Sequence, residues 1–225
     1  MRRLGIALLL VSLLVTGCGA SLEGDIRTTP KNVPQAKTSG SVELHFALGP
    51  TPRVLQRKNQ LLLAELSNFI ASRKTTVTKW TVYIPDNVPV DTAIALFAEF
   101  TKAECTNVAV YAEDARGDCA KRDICVDVGP SGPVQVVTEL RQDYPETLKQ
   151  YVGTHGDKDL LVAKCQLAEL SPVLRPLLAM REKKHVRFME VGGLEGMRGT
   201  RYVEVLEALR HLGVEEVSFY GVYAE

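Results

Sequence analysis

Trp80-Thr81-Val82-Tyr83-Ile84-Pro85-Asp86-Asn87, with the residues that follow, settles the fold class. Trp80, Val82 and Ile84 alternate with their neighbours, the two-residue period of a half-buried strand. Pro85-Asp86-Asn87 breaks the strand. Ala93, Leu96, Phe97 and Phe100 then fall on one face of an amphipathic helix, and Val108 to Tyr111 returns as a strand. Residues 186–220 repeat this order. Val186, Phe188 and Val191 make a strand, and glycine-rich 192–199 makes a longer turn. Tyr202, Val205, Leu209 and Leu212 line one helical face, Gly213 stops the helix, and Val217 and Phe219 close the unit. An offset of 109 residues sets Leu96 on Val205, Phe100 on Leu209 and Val108 on Val217.

Working outward, Val42, Leu44, Phe46 and Leu48 alternate as an earlier strand. Thr51-Pro52 reads as an N-cap with proline at the first helical position, and Leu55, Leu62, Leu66 and Phe69 fall close to one face. Arg73 and Lys74 suit the negative end of that helix dipole. Residues 42–111 are therefore expected as β-α-β-α-β. Residues 112–122 are charged and without period, a linker. Ile124 to Val128 and Val134 to Thr138 flank Gly129-Pro130-Ser131-Gly132-Pro133 and read as a hairpin. A short helix over Pro145 to Tyr151 closed by Gly153, a strand over Leu160 to Ala163, and a helix from Ser171-Pro172 complete the pattern. Pro176 should bend or shorten that last helix. The fold class is α/β, α+β-like, in two small domains, 42–111 and 123–225, whose helices pack on one sheet each.

The address lies in the first residues. Met1-Arg2-Arg3, an apolar run from Leu4 to Val15 and the small-residue junction before Cys18 make a secretory signal over residues 1–17. The run is also shorter than the roughly 20 residues a spanning helix needs. Val15-Thr16-Gly17-Cys18 resembles the bacterial lipobox. That resemblance implies lipidation of Cys18, with palmitate among the acyl chains, as residue one of the mature lipoprotein. Gly19 resembles signals for delivery to the outer membrane, facing the periplasm. Residues 18–41, rich in Ser, Thr, Gly, Pro, Lys and Asn, are expected as a flexible tether.

Thr81-Val82-Tyr83-Ile84-Pro85-Asp86-Asn87-Val88-Pro89-Val90, an amphipathic helix and Asn107-Val108-Ala109-Val110 together resemble the periplasmic domain of the ExbD/TolR family. The likeness covers about residues 42–111, with a degenerate version over 123–222. It implies a module that dimerises and contacts cell wall or partner proteins, and it singles out Asp86. The chain departs from the family in one respect: its apolar segment carries no acidic residue and reads as a cleaved signal, so no proton-conducting helix is expected.

Composition narrows the partners. The hydrophobic fraction of 45% supports an ordinary core. Once Arg2 and Arg3 leave with the signal, the 27 acidic residues outnumber the basic ones by about two, and no Lys/Arg cluster offers a phosphate-tracking stripe. Nucleic acid is not an expected partner. Membrane attachment would come from the lipid. Cys105, Cys119, Cys125 and Cys165 can form disulfides in an oxidising compartment, with the pairing open, or remain buried thiols. Their spacing contains no C-x-x-C, which argues against a metal site.

Few residues point to chemistry. Asp86 reads as a turn residue capping amides or as a ligand contact. Gly192 to Gly199 lies where nucleotide-binding turns lie, but it lacks the G-x-G-x-x-G spacing and reads as a lid or connection. Arg198 and Arg201 keep a small anion or a wall carboxylate in play as ligands. His155 and Asp157 share a solvated loop, and His45, His185 and His211 are scattered singly. Ser131 lacks the nucleophile elbow, so no catalytic residue, cofactor or metal is assigned. The sequence favours a non-catalytic accessory or assembly module of the cell envelope, binding peptidoglycan or an ExbD/TolR-type energised machine. Edge pairing offers it a route to a homodimer. The alternative is a solute-binding or hydrolytic lipoprotein with an interdomain cleft.

Overall fold

The computed structural model describes residues 40–112, 123–140, 144–155, 158–190 and 196–221. The expected signal, Cys18, the tether as far as residue 39, the linker 113–122 with Cys119, Asp157, and Val191 to Glu195 lie outside the described residues. Among the described residues no helix is long and apolar enough to cross a membrane.

Strand β1 (Gly40–Ala47) buries Leu44 and Phe46 and exposes Glu43 and His45, as alternation requires. Strand β2 (Arg53–Gln56) pairs antiparallel with it, setting Phe46 beside Val54, and β3 (Asn59–Leu62) pairs with β2. This hairpin replaces the first half of the helix expected from Thr51. Its two-residue turn, Arg57-Lys58, places Arg57 at φ +54. Main-chain bonds to the open edge of β1 outweigh a helical face whose Leu62 stays 44% exposed. Of the expected helix a 3₁₀ turn over Leu63–Glu65 and helix α1 (Leu66–Ala71) remain, the latter burying Leu66 and Ile70 one turn apart. Strand β4 (Val77–Ile84), helix α2 (Val90–Lys102) and β6 (Val108–Ala112) follow as expected, and a two-residue strand, β5 (Val88–Pro89), stands between β4 and α2 where the sequence offered only a turn. The first sheet runs β3-β2-β1-β4-β6.

The second half builds its own sheet. Strands β7 (Ile124–Val128) and β8 (Val134–Leu140) form the expected hairpin. A 3₁₀ turn over Glu146–Tyr151 leads to β9 (Val152–His155), which holds Gly153 as a strand residue rather than a helix stop. Strand β10 (Lys158–Cys165), helix α3 (Ser171–Ala179), β11 (His185–Glu190), helix α4 (Gly199–His211) and β12 (Glu216–Gly221) complete the chain. The order is β5-β12-β11-β7-β8-β10-β9. The fold is thus α+β-like, with two mixed sheets.

The halves do not close separately. Residues 38–225 make one compact unit, and a single apolar cluster runs from Leu44 to Phe219. Strand β5 of the first half is an edge of the second sheet, with Val88 opposite Val217. Met197 of the second half returns the contact, bridging Val108 in both directions at 2.8 Å. The offset of 109 residues turns one contact into the other, Val88 becoming Met197 and Val217 becoming Val108. The internal echo is therefore a pseudo-twofold relation, with α2 and α4 antiparallel across it. Asp91 in the first turn of α2 pairs with Arg210 in the last turn of α4 at 3.3 Å. At the other end Gly199 is so close to α2 that a Cβ there would sit 2.8 Å from the Thr101 nitrogen. Between these ends Phe97 stacks on Tyr202 at 4.2 Å, and the Tyr202 hydroxyl donates to the Val108 carbonyl at 3.0 Å. Fully burying side chains of this size contributes roughly 1.5–3 kcal/mol each, so this seam joins the two sheets firmly.

The cysteines divide. Cys125 is disulfide-bonded, while Cys105 and Cys165 are buried free thiols, so the four do not form two bridges. Burial also pushes both free thiols above the usual range, which keeps them protonated and unreactive.

Candidate functional site

The pleat of the second sheet sorts its residues. Val186, Phe188, Val217 and Phe219 face the helices, with Phe188 5.7 Å from Tyr202 and Phe219 5.6 Å from Phe97. His185, Arg187 and Ser218 therefore face the opposite side, and Asp123, just ahead of β7, joins them. The turn after β4 arrives there too, because β5 must reach β12. Its Asn87 stands at φ +57, a left-handed conformation that asparagine tolerates.

These residues form a polar cluster joining the two halves. Ser218, 3% exposed, accepts a hydrogen bond from the Asn87 N–H at 3.2 Å and lies 3.3 Å from Asn87 Oδ1. His185 Nε2 lies 2.8 Å from the same hydroxyl. Burial pulls the His185 imidazole below the usual histidine range; the Asp123 and Asp86 carboxylates oppose that shift. Asp123 Oδ2 holds Arg187 Nε at 2.8 Å, and its backbone carbonyl accepts the Thr138 hydroxyl at 2.9 Å.

A cavity of about 380 Å³ opens beside the cluster, between the Met180–Lys184 turn and the start of β7. Asp123, Ile124, Arg181, Lys183 and His185 line it, with Met180 and Glu182. Arg181 is fixed at its wall, donating through one terminal nitrogen to the Thr138 hydroxyl at 3.1 Å and the Glu139 carbonyl at 3.3 Å.

The pseudo-twofold marks this region as singular. Gly196 takes the place of Asn87 in the other unit, and Ala109 takes the place of Ser218. The polar cluster exists at only one of the two equivalent positions.

A serine beside a histidine with an aspartate nearby has the elements of nucleophilic catalysis. Here the hydroxyl is closed over. It is buried, tied to Asn87 on one side and to His185 on the other, and the cavity meets the histidine rather than the serine. The arrangement holds two units together and presents charged side chains to a cavity.

Asp86 is exposed in the turn and acts on His185 through its charge. It does not cap α2, whose N-cap is Pro89 and whose first N–H, on Val90, bonds to the Glu215 carbonyl. Arg201 is structural. It is 8% exposed, donating to the carbonyls of Gly129 at 3.3 Å and Gly132 at 2.6 Å and so binding the β7–β8 turn to α4. That turn is at the far end of β7, roughly 17 Å along the strand from Asp123. Arg198 is exposed just ahead of α4. Asp86 and the two arginines thus belong to different places. The His155 side chain lies outside the described residues, His211 is exposed, and His45 stacks on Tyr83 at 4.7 Å on the outer face of the first sheet.

Sequence reading passed over Ser218, Arg181 and Lys183. Ser218 sits between Val217 and Phe219 and reads only as a strand residue. Arg181-Glu182-Lys183-Lys184-His185-Val186-Arg187 did carry a signal, a dense basic run in a chain of zero formal net charge. No protein-family model matches the sequence, and comparison with curated proteins and with solved structures returns no match.

Proposed function

We propose that this chain is a lipid-anchored protein of the bacterial envelope, facing the periplasm, that works by binding and not by catalysis. On this reading Cys18 carries the lipid, the tether ends at residue 39 where β1 begins, and the folded part is an accessory or assembly module. Its partner is peptidoglycan or an energised machine of the ExbD/TolR type. One observation carries the preference for binding: Ser218, the hydroxyl best placed for nucleophilic chemistry, is 3% exposed and held by Asn87 and His185. The pseudo-twofold pairing of two β-α-β units supports the same reading, because it uses the helix faces internally and leaves the edge strands β3 and β9 for contacts.

In-cell crosslinking and pull-down of the lipidated protein, beside a Cys18→Ser control, tests this. Wall fragments or ExbD/TolR-type components should be recovered with the anchored form and lost with the control. Recovery of the protein alone would overturn the assembly reading. The rival reading, a solute-binding lipoprotein, draws on the 380 Å³ cavity beside His185.

A further inference from the structure

We infer that the cavity beside His185 binds a zwitterion, the amino and carboxyl ends of a single amino acid or short peptide. The inference rests on the binding reading above and names the ligand chemistry of its site. The lining carries charges of both signs with atoms that have no partner among the described residues. Arg181 uses one nitrogen on Thr138 and Glu139, so Nε and the second terminal nitrogen have no protein partner among the described residues. The anchored guanidinium is therefore preorganised, and its planar fork matches a carboxylate bidentately. Lys183 adds a second cation, likewise without a partner among the described residues. On the acidic side, Asp123 engages Arg187 through Oδ2, its Oδ1 has no hydrogen-bond partner among the described residues, and Glu182 likewise has no partner among them.

This mixture selects against simple anions. A phosphate dianion drawn to Arg181 and Lys183 would also face the carboxylates of Asp123 and Glu182, and like charges repel at such range. A ligand that brings an ammonium beside its carboxylate satisfies both sets. The apolar part of the wall is Met180, 40% exposed. An adaptable thioether accepts small apolar side chains with little discrimination. The volume, near the lower end of the roughly 300–1,000 Å³ usual for ligand pockets, suits about one or two residues. Position also fits: His185 brings the cluster that ties the halves together to the cavity wall, on the side of the pseudo-twofold that carries the polar residues.

Isothermal titration of the purified full-length protein in detergent tests the inference. D-alanyl-D-alanine is the probe, with its N-acetyl derivative, its C-terminal amide and inorganic phosphate as controls. The dipeptide should bind, and each blocked derivative should bind at least about tenfold more weakly, the equivalent of 1.4 kcal/mol. Lys183→Glu should weaken the dipeptide by a similar factor, and Arg181→Gln should abolish binding. Because Arg181 also braces Thr138, Lys183→Glu at an exposed position is the decisive variant. Soluble wall muropeptides that displace the dipeptide would identify the wall as the source, and displacement only by free amino acids would identify a solute. No heat at millimolar dipeptide, equal binding of the blocked derivatives, or preference for phosphate would overturn the inference. The two readings fail separately. Wall or motor components recovered by crosslinking without dipeptide binding would leave the assembly role standing. Dipeptide binding with no recovered partner would leave a solute-binding protein.

Discussion

Asn87 and Gly196 share one backbone conformation, φ +57 and +58, at equivalent points of the two β-α-β units. Each precedes the short stretch that crosses to the other unit's last strand, Val88 to Val217 and Met197 to Val108. The side chains differ for a visible reason. A Cβ on Gly196 would sit 2.6 Å from Asn107 Oδ1 and 2.8 Å from the Val108 carbonyl oxygen, whereas Asn87 is exposed and its Oδ1 accepts from the Ser218 hydroxyl.

Gly196→Ala should accordingly be costly. It combines a left-handed φ with contact against backbone, and a loss of about 1–3 kcal/mol is expected. Asn87→Gly relaxes the backbone but gives up the Ser218 contact, so its cost should stay near 1 kcal/mol. Urea unfolding of the two variants checks the order, and a neutral Gly196→Ala would show that the crossing is not tight.

Stability should fall on mild acidification because of His185. Its folded-state value lies below the ordinary 6.5, so the unfolded chain takes up the proton first as pH drops. The stabilisation is therefore complete above about pH 6.5 and declines from there toward the lower folded value. Asp123, Asp86 and Glu216 soften the decline and Arg187 sharpens it. Comparing urea midpoints at about pH 7.5 and 5.5, the difference should shrink in His185→Gln. Asp127, whose carboxyl burial pushes up, works in the opposite sense and cancels in this comparison. Equal slopes in both proteins would assign the acid sensitivity elsewhere.

Arg201→Ala should lower stability by about 1.5–3 kcal/mol, the usual worth of hydrogen bonds from a charged group. The loss should appear as mobility of the Gly129–Gly132 turn in hydrogen exchange, with ligand binding at the His185 cavity unchanged. A simultaneous loss of ligand binding would mean that the two ends of β7 are coupled.

Phe97→Ala tests the shared core. Removing this ring from between Tyr202 and Phe219 should cost about 3–5 kcal/mol. Unfolding should remain one transition, with Trp80 fluorescence and far-ultraviolet dichroism coinciding although Trp80 lies in the first sheet. Two separated transitions would mean that the halves fold as independent domains.

Sequence alone disclosed most of the fold where period and burial agree. Ala93, Leu96, Phe97 and Phe100 are all buried, and Tyr202, Val205 and Leu209 likewise, so their helices were plain. The 53–62 hairpin was not, because Leu55 and Leu62 happen to fall in step with Leu66 and Phe69, and a strand pair that buries only Val54 leaves little alternation to read. Joining the halves depended on Tyr202 and Phe97 meeting, which no local pattern encodes. The site was hidden for the same reason. Ser218 is 131 residues from Asn87 and 33 from His185, and only the strand register brings them within reach.

The crossed contacts also order events in time. Val88 is synthesised long before Val217, and the Val108 edge waits for Met197, so neither unit can be completed until nearly the whole chain has emerged. Pairings so distant in sequence close slowly. Until they close, an unfinished chain offers two short, unsatisfied edges whose proper partners exist equally on any neighbouring copy. Crowded nascent chains should therefore exchange these segments and emerge as swapped pairs, while dilute ones close on themselves.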